Sequence, residues 1–168
     1  MDKPPYRILY LNHVAELGGA ETGLFDIVTR LDRRMFHPLV VVPDAGPLVE
    51  RLAHSGVPVR CLPLRRHKKT LNPVKLLSTF ADVTSVAGRL AVLIREESID
   101  LIHANSTTAH IYGARASRMT GVPAVWHCRD LVALGPLGRW LYRRATRVIA
   151  ISGAVQASLD RYAARTPK

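Results

Sequence analysis

The sequence predicts an α/β domain: a doubly wound parallel sheet with helices on both faces. Three observations predict it. Short β-branched or leucine-rich runs alternate with helical patterns along the whole chain. The runs are largely apolar on both faces, as strands covered from both sides must be. Polar, hydrogen-bonding residues gather directly after several runs, at the strand ends where such sheets bind ligands. The 168 residues suffice for one domain with a real core.

Each element has its own reason. Arg7–Leu11 is the first strand, and the following helix, Ala20–Leu31, puts Leu24, Ile27, Val28 and Leu31 on one stripe. Leu39–Val42 is the second strand. The helix Pro47–His54 opens on a proline, tolerated in a first turn, and stops at Ser55-Gly56. Val59–Leu62 is the third strand. Val74–Glu97 is a long helix with Leu76, Leu77, Phe80, Val83, Ala87, Leu90 and Ile94 at steps of three or four. Leu101–His103 and Ala124–His127 are the fourth and fifth strands, separated by a helix over Thr107–Met119 that ends at Thr120-Gly121. A helix over Leu137–Thr146 leads to the sixth strand, Arg147–Ile151, after which Ser152 caps a last helix to about Tyr162. There is no internal repeat and no low-complexity segment. Arg65–Lys69 reads as a solvated basic loop, and the last residues read as a cut end or a linker.

Composition narrows the function classes. With 48% apolar and 22% charged residues the chain reads as a soluble globular protein. No run approaches 18 uninterrupted apolar residues, and the N-terminus lacks the basic-then-apolar order of a signal peptide, so a cytoplasmic location is expected. Cys61 and Cys128 form no Cys-x-x-Cys pair and no metal-ligand spacing; both are expected as reduced core or near-core thiols. The net charge of +11 favours an anionic partner: a phosphorylated ligand, an anionic membrane surface or a nucleic acid. A generally arginine-rich composition would give the same charge without a partner. The helix around Arg139–Arg147 mixes Trp140, Leu141 and Tyr142 with arginines, and reads either as a contact to an anionic bilayer or as a plain amphipathic helix on the sheet. Nucleic acid is not expected, because aromatics for stacking bases are few and no nucleic-acid motif is present.

The chemistry-bearing residues follow the strands. Asn12, His13 and then Gly18-Gly19-Ala20-Glu21 follow the first; His103, Asn105, Ser106 and Thr107 end the fourth; His127, Arg129 and Asp130 end the fifth; Ser152 and Gly153 follow the sixth. Glycines before a helix can take positive φ and admit a ligand close to the backbone, and the helix N-terminus suits a phosphate. An ordinary turn, with Glu21 favourable in the first helical turn, fits the same residues. The spacing is neither Gly-x-Gly-x-x-Gly nor that of a P-loop. His127 could donate to a hydroxyl or phosphate, act as an acid or base, or merely cap a strand end. Arg129 and Asp130 could pair with each other or orient His127. His103 and His110 lack zinc-type spacing and read as structural.

Together the motifs resemble the N-terminal domain of a family 4 glycosyltransferase, the retaining, sugar-nucleotide-dependent enzymes of GT-B fold. The matching stretches are Gly18–Glu21 ("GGAE") after the first strand, "IDLIHANS" ending at Ser106, "GVPAVWHCRD" from Gly121 to Asp130, and "VIAISGAV" from Val148 to Val155. They span the chain in the family's order. The resemblance implies that residues 1–168 are a single Rossmann-like, acceptor-side domain. It implies that Gly18, Gly19 and Glu21 lie near the donor diphosphate and transferred sugar, and that His127 lies by the reacting sugar. It makes Asn12, His13, Asn105, Ser106, Arg129, Asp130 and Ser152 acceptor-side candidates. It implies a nucleotide-diphosphate sugar as donor substrate, a sugar or lipid-linked acceptor, no other cofactor, and no metal, since basic side chains and helix N-termini neutralise the leaving diphosphate.

One departure matters. The family's C-terminal half carries Glu-x₇-Glu and a basic pair for the diphosphate, yet the glutamates here fall at 16, 21, 50, 96 and 97, no two of them eight apart. The donor-binding half is therefore expected elsewhere, as a further domain or a partner subunit, with these residues inactive alone. The rival readings are a non-catalytic module or split-enzyme subunit at an anionic membrane surface, on the inner face, and an NAD enzyme, against which the missing glycine pattern counts.

Overall fold

The computed structural model describes residues 5–66, 72–131 and 134–163. Residues 67–69 of the basic loop, and the end of the chain after 163, lie outside them. The described residues form six strands and six helices in strict alternation: β1 (Tyr6–Leu11), α1 (Gly19–Arg30), β2 (Phe36–Val42), α2 (Pro47–His54), β3 (Val59–Cys61), α3 (Pro73–Glu96), β4 (Leu101–Ala104), α4 (Thr107–Thr120), β5 (Ala124–Cys128), α5 (Gly135–Arg144), β6 (Arg147–Ala150) and α6 (Gly153–Ala163). All strands are parallel, in the order β3-β2-β1-β4-β5-β6. The expected doubly wound α/β sheet is present, and the order reverses between β1 and β4.

The strand period of two divides the core. Leu9, Leu11, Leu39, Val41, Ile102, Ala104 and Ala124 pack with Val83, Ala87, Leu90 and Ile94 of α3 and with Ala109, Tyr112 and Ala116 of α4 on one face. On the other, Ile8, Tyr10, Val40 and Val42 pack with Leu24 and Val28 of α1 and with Leu48 and Leu52 of α2. Trp126, Leu141, Leu159 and Tyr162 join a third cluster beneath β5 and β6. Each fully buried leucine contributes about 1.5–3 kcal/mol.

The edges depart from the sequence reading. β3 and β6 are the border strands, so their outer positions face solvent and only the four inner strands are covered on both sides. For the same reason Cys61 is exposed rather than near the core, whereas Cys128 is buried; both thiols are free. β2 begins at Phe36, earlier than expected, because Pro38 is accommodated opposite Ile8.

Two glycines fix the frame of the site. A Cβ on Gly46 would sit 2.9 Å from the Ala15 carbonyl oxygen, so only glycine lets α2 start against the loop that follows β1. The Leu48 N–H donates to that carbonyl at 3.0 Å and ties the loop down. Gly121, at φ 78°, ends α4 in the left-handed region and turns the chain toward β5.

Candidate functional site

The carboxyl ends of β1, β4 and β5 meet where the strand order reverses, and the polar residues expected there form one connected network. Tyr10 and Asn12, His103 and Asn105, His127 and Arg129 are each two residues apart, so the strand period carries all of them to the α1 side of the sheet. Asn12 continues the ladder past β1, its N–H donating to the Val41 carbonyl at 2.9 Å. The Asn105 N–H likewise donates to the Leu11 carbonyl at 2.9 Å.

The side chains then run from cation to anion. Arg129 donates through Nε to Asn105 Oδ1 at 3.1 Å. Asn105 Nδ2 donates to Asn12 Oδ1 at 2.9 Å and to the Ala20 carbonyl at 3.2 Å. Asn12 Nδ2 donates to the Glu21 carboxylate at 3.1 Å and to the Val14 carbonyl at 2.8 Å. A guanidinium can only donate and a carboxylate only accept, so the two ends fix both amide orientations. Asn12 and Asn105 have no exposed surface and Glu21 is 6% exposed. Burying a charge is expensive unless it is paired and hydrogen-bonded, and the network meets that requirement at both termini.

His127 sits at the cationic end. Its Nδ1 lies 3.4 Å from Arg129 Nη2 and 3.3 Å from His103 Nε2. Because Arg129 cannot accept, Nδ1 is the acceptor, and the ring keeps its proton on Nε2 as its donor. Burial first, and then the Arg129 charge, bring the His127 pKa down to about 4. Burial, then His127 and Arg129, bring His103 to about 4 as well. Both rings are neutral near pH 7. Tyr10, whose ring centroid is 4.9 Å from that of His103, closes the far side; burial raises its hydroxyl to about 12.

The remaining candidates occupy the rim. His13 is half-buried, its Nδ1 2.9 Å from Ser106 Oγ. That hydroxyl also accepts from the Ala109 N–H at 3.1 Å, so Ser106 caps α4 and orients His13 together. The His13 pKa is lowered, by burial first, with the charges of Glu21, Arg66 and Asp130 acting on it from around the rim. Asp130 is exposed, and Arg129 turns to Asn105 and His127. Ser152 caps α6, its Oγ accepting from the Val155 N–H at 3.3 Å. Among the described residues, no cluster of histidine, cysteine and carboxylate side chains could hold a metal ion.

The glycine pair works differently from expectation. Gly18 is extended, at φ −129°, and neither Gly18 nor Gly19 has positive φ. The reason for glycine is space. A Cβ on Gly18 would lie 2.8 Å from Glu21 Oε2, whereas a Cβ on Gly19 would meet nothing within 4 Å. Gly18 thus makes room for the buried carboxylate, and Gly19 faces an open rim at the N-terminus of α1, where backbone N–H groups are free for an anion.

His103 is the residue that the spacing argument missed. It belongs to no metal pattern, but it lies two residues before Asn105, and that parity places it on the network's face. A cavity of about 500 Å³, lined by Arg7, Arg33, Arg60 and Glu97 among others, lies at the opposite, amino-terminal edge. Its charges are partly spent: Glu97 pairs with Arg60 at 3.3 Å and Arg7 at 3.8 Å. We place the site at the polar network, on the edge where ligands bind in such sheets.

The fold recurs in known proteins. Anabaena HepE in complex with UDP shares 25% sequence identity at a TM-score of 0.67, the match covering 94% of this chain and 41% of that one. HepE in complex with UDP-glucose gives 26% and 0.67, covering 93% and 40%. A glycosyltransferase from Rickettsia africae gives 18% and 0.68, covering 94% and 39%. The chain therefore spans about two fifths of the length of these structures. No curated protein matched it. The profile of the glycosyl transferase 4-like domain matches residues 18–168, which takes in the glycine pair, Glu21, His103, Asn105, His127 and Arg129 of the network, and the last helix, but not Tyr10 or Asn12. The chain belongs to the glycosyl transferase 4-like domain family.

Proposed function

We propose that this domain is the acceptor-side half of a retaining glycosyltransferase that moves a sugar from a nucleotide-diphosphate sugar to an acceptor. The observation that carries the reading is the largely buried, hydrogen-bonded network from Glu21 to His127 at the point of strand-order reversal. It holds a ring N–H donor beside a guanidinium and next to an open helix N-terminus. That set suits sugar hydroxyls and a diphosphate. UDP and UDP-glucose in the HepE structures support a nucleotide sugar as donor.

In this reading Gly19 and the first turn of α1 face the donor diphosphate. Glu21, Asn12 and Asn105 are positioning residues: they hold Arg129, which keeps the His127 proton on Nε2 and adds to burial in keeping the ring neutral. That proton is donated to a hydroxyl of the transferred sugar. At a pKa of about 4 the ring is neutral near pH 7, so its work is orientation and hydrogen bonding. The donor-binding half lies in a further domain or a separate subunit, the chain alone has no transferase activity, and the complete enzyme works in the cytoplasm without a metal.

The test uses the complete enzyme, with both halves, and a radiolabelled sugar nucleotide. His127→Ala should lower transfer by about ten- to a hundredfold, the cost of leaving an enclosed sugar hydroxyl without its partner, while the melting temperature changes little. Unchanged turnover would remove His127 from the reaction. Sugar transfer by the 168 residues alone would overturn the half-site.

A further inference from the structure

Helix α1 passes the network with a glycine in its interior. Gly23 lies in the second turn, where glycine is a poorer helix residue than alanine. Its φ is not positive, so no unusual dihedral calls for it. Space does. The three nearest atoms that a Cβ on Gly23 would meet all belong to one group: Arg129 Nη1 at 3.3 Å, Nη2 at 3.4 Å and Cζ at 3.8 Å. Both Nη atoms are nearer than Cζ, so the guanidinium turns the edge of its fork toward the helix. The other glycines inside helices differ. Gly88 in α3 would meet only Met119 Cε, at 4.0 Å, and Gly113 in α4 faces Leu11, Ile102 and Ala104 in the core. Among the described residues, Gly18 and Gly23 are the glycines that make room for network side chains: Gly18 for the anion at one end, Gly23 for the cation at the other.

The same face of α1 touches the network once more. The Ala20 carbonyl accepts from Asn105 Nδ2 at 3.2 Å, and Ala20 and Gly23, three residues apart, are neighbours on the helix surface. Small residues there let the strand-end side chains lie against the helix backbone. What the gap at Gly23 decides is where Arg129 points. A half-buried arginine has many rotamers, and ordering it costs entropy. Two carboxylates act on its charge, Glu21 within the network and Asp130 exposed at the rim. With the gap open, Arg129 lies beside α1, donates through Nε to Asn105 and reaches His127. A side chain at position 23 would take that space and send the guanidinium toward Asp130 and solvent.

We propose that Gly23 is a positioning residue: the room left by its missing side chain seats the Arg129 guanidinium on Asn105 and His127. Gly23 touches no reacting atom and acts only through Arg129. The seat belongs to the fold; its value for sugar transfer rests on the glycosyltransferase reading.

Gly23→Ala and Gly23→Leu test it, by NMR on the 168-residue chain. Alanine and leucine both favour helix over glycine, so a change at Arg129 will not reflect a weakened α1. Leucine displaces the guanidinium; alanine asks it to give only slightly. In Gly23→Leu the Arg129 Nε–H should exchange with solvent at least about fivefold faster. The His127 pKa should rise by about half a pH unit or more, because the cation beside it moves away. Gly23→Ala should move both readouts the same way by less, and carries the test if the leucine variant does not fold. Gly88→Ala, a helix glycine with open surroundings, should move neither. The decisive comparison repeats Gly23→Leu in an Arg129→Met chain. With no guanidinium to seat, and His103 still beside His127, the added pKa change should fall below about 0.3 pH units. An equal rise with and without Arg129 overturns the proposal, and so do unchanged exchange and pKa in both Gly23 variants. In the complete enzyme Gly23→Leu should lower turnover about tenfold. The NMR changes with wild-type turnover would sink the catalytic reading of the network and leave the seat intact.

Discussion

Acid should unfold this domain through His103 and His127. Both are 9% exposed, and both have pKa values near 4 in the folded state against 6.5 for the free side chain. Between those values the unfolded chain binds protons that the native chain refuses. The native state is therefore fully favoured above pH 6.5 and loses ground as pH falls toward 4, by about 1.4 kcal/mol per pH unit for each histidine at full effect. From pH 7 to pH 5 each ring costs about 2 kcal/mol by this arithmetic. The two share one contact, so protonating either makes the other harder to protonate, and the pair should cost about 2–4 kcal/mol in total. That is a large part of an ordinary domain's stability. Urea titrations at pH 7, 6 and 5 measure it, and the comparison is His103→Gln with His127→Gln, whose amides do not titrate. The double variant should lose most of the pH dependence; what remains comes from carboxylates and from His13, whose pKa is lowered too. A double variant with the full wild-type loss between pH 7 and pH 5 would show that these rings are not the acid-sensitive element.

Two further outcomes follow from the network. Arg129→Met removes the donor-only end, so Asn105 Oδ1 loses its charged partner at 3.1 Å and the chain should lose about 1–3 kcal/mol; the His127 pKa, read by NMR titration, should rise because the cation that depressed it is gone. Gly18→Ala and Gly19→Ala should separate the two glycines: the first meets Glu21 Oε2 at 2.8 Å and should lower the unfolding free energy, while the second meets nothing within 4 Å and should leave that free energy within about 0.5 kcal/mol of wild type, both read by urea titration.

Much of this was legible in the chain. The alternation of runs named the fold, and observed strands and helices fall within a few residues of the expected ones because apolar periodicity and caps such as Ser106 and Ser152 are local signals. The polar network was legible in part too, since the polar residues that follow β1, β4 and β5 in the sequence are the ones the fold connects. The edge strands were not, because β3 and β6 read like the inner strands and only the sheet order puts Val59–Cys61 and Arg147–Ala150 at the borders. The exposed start of α3 escaped for a related reason: Leu76 and Phe80 continue the core stripe perfectly well, and only the length of the sheet leaves them bare.

The sequence by itself determined the parallel α/β architecture, the gathering of polar residues at the carboxyl ends of the strands, and the family to which the chain belongs. These depend on residue type and spacing, which a linear pattern contains. Tertiary structure alone decided what the residues do to one another. His103 became a partner of His127 because β4 and β5 are neighbours and both rings share a face of the sheet. The glycine pair proved to be about room for a carboxylate rather than unusual dihedrals, because Glu21 folds back beneath Gly18. Proton positions on the amides and on His127 follow from Arg129 at one end and Glu21 at the other, residues more than a hundred positions apart that only the fold connects.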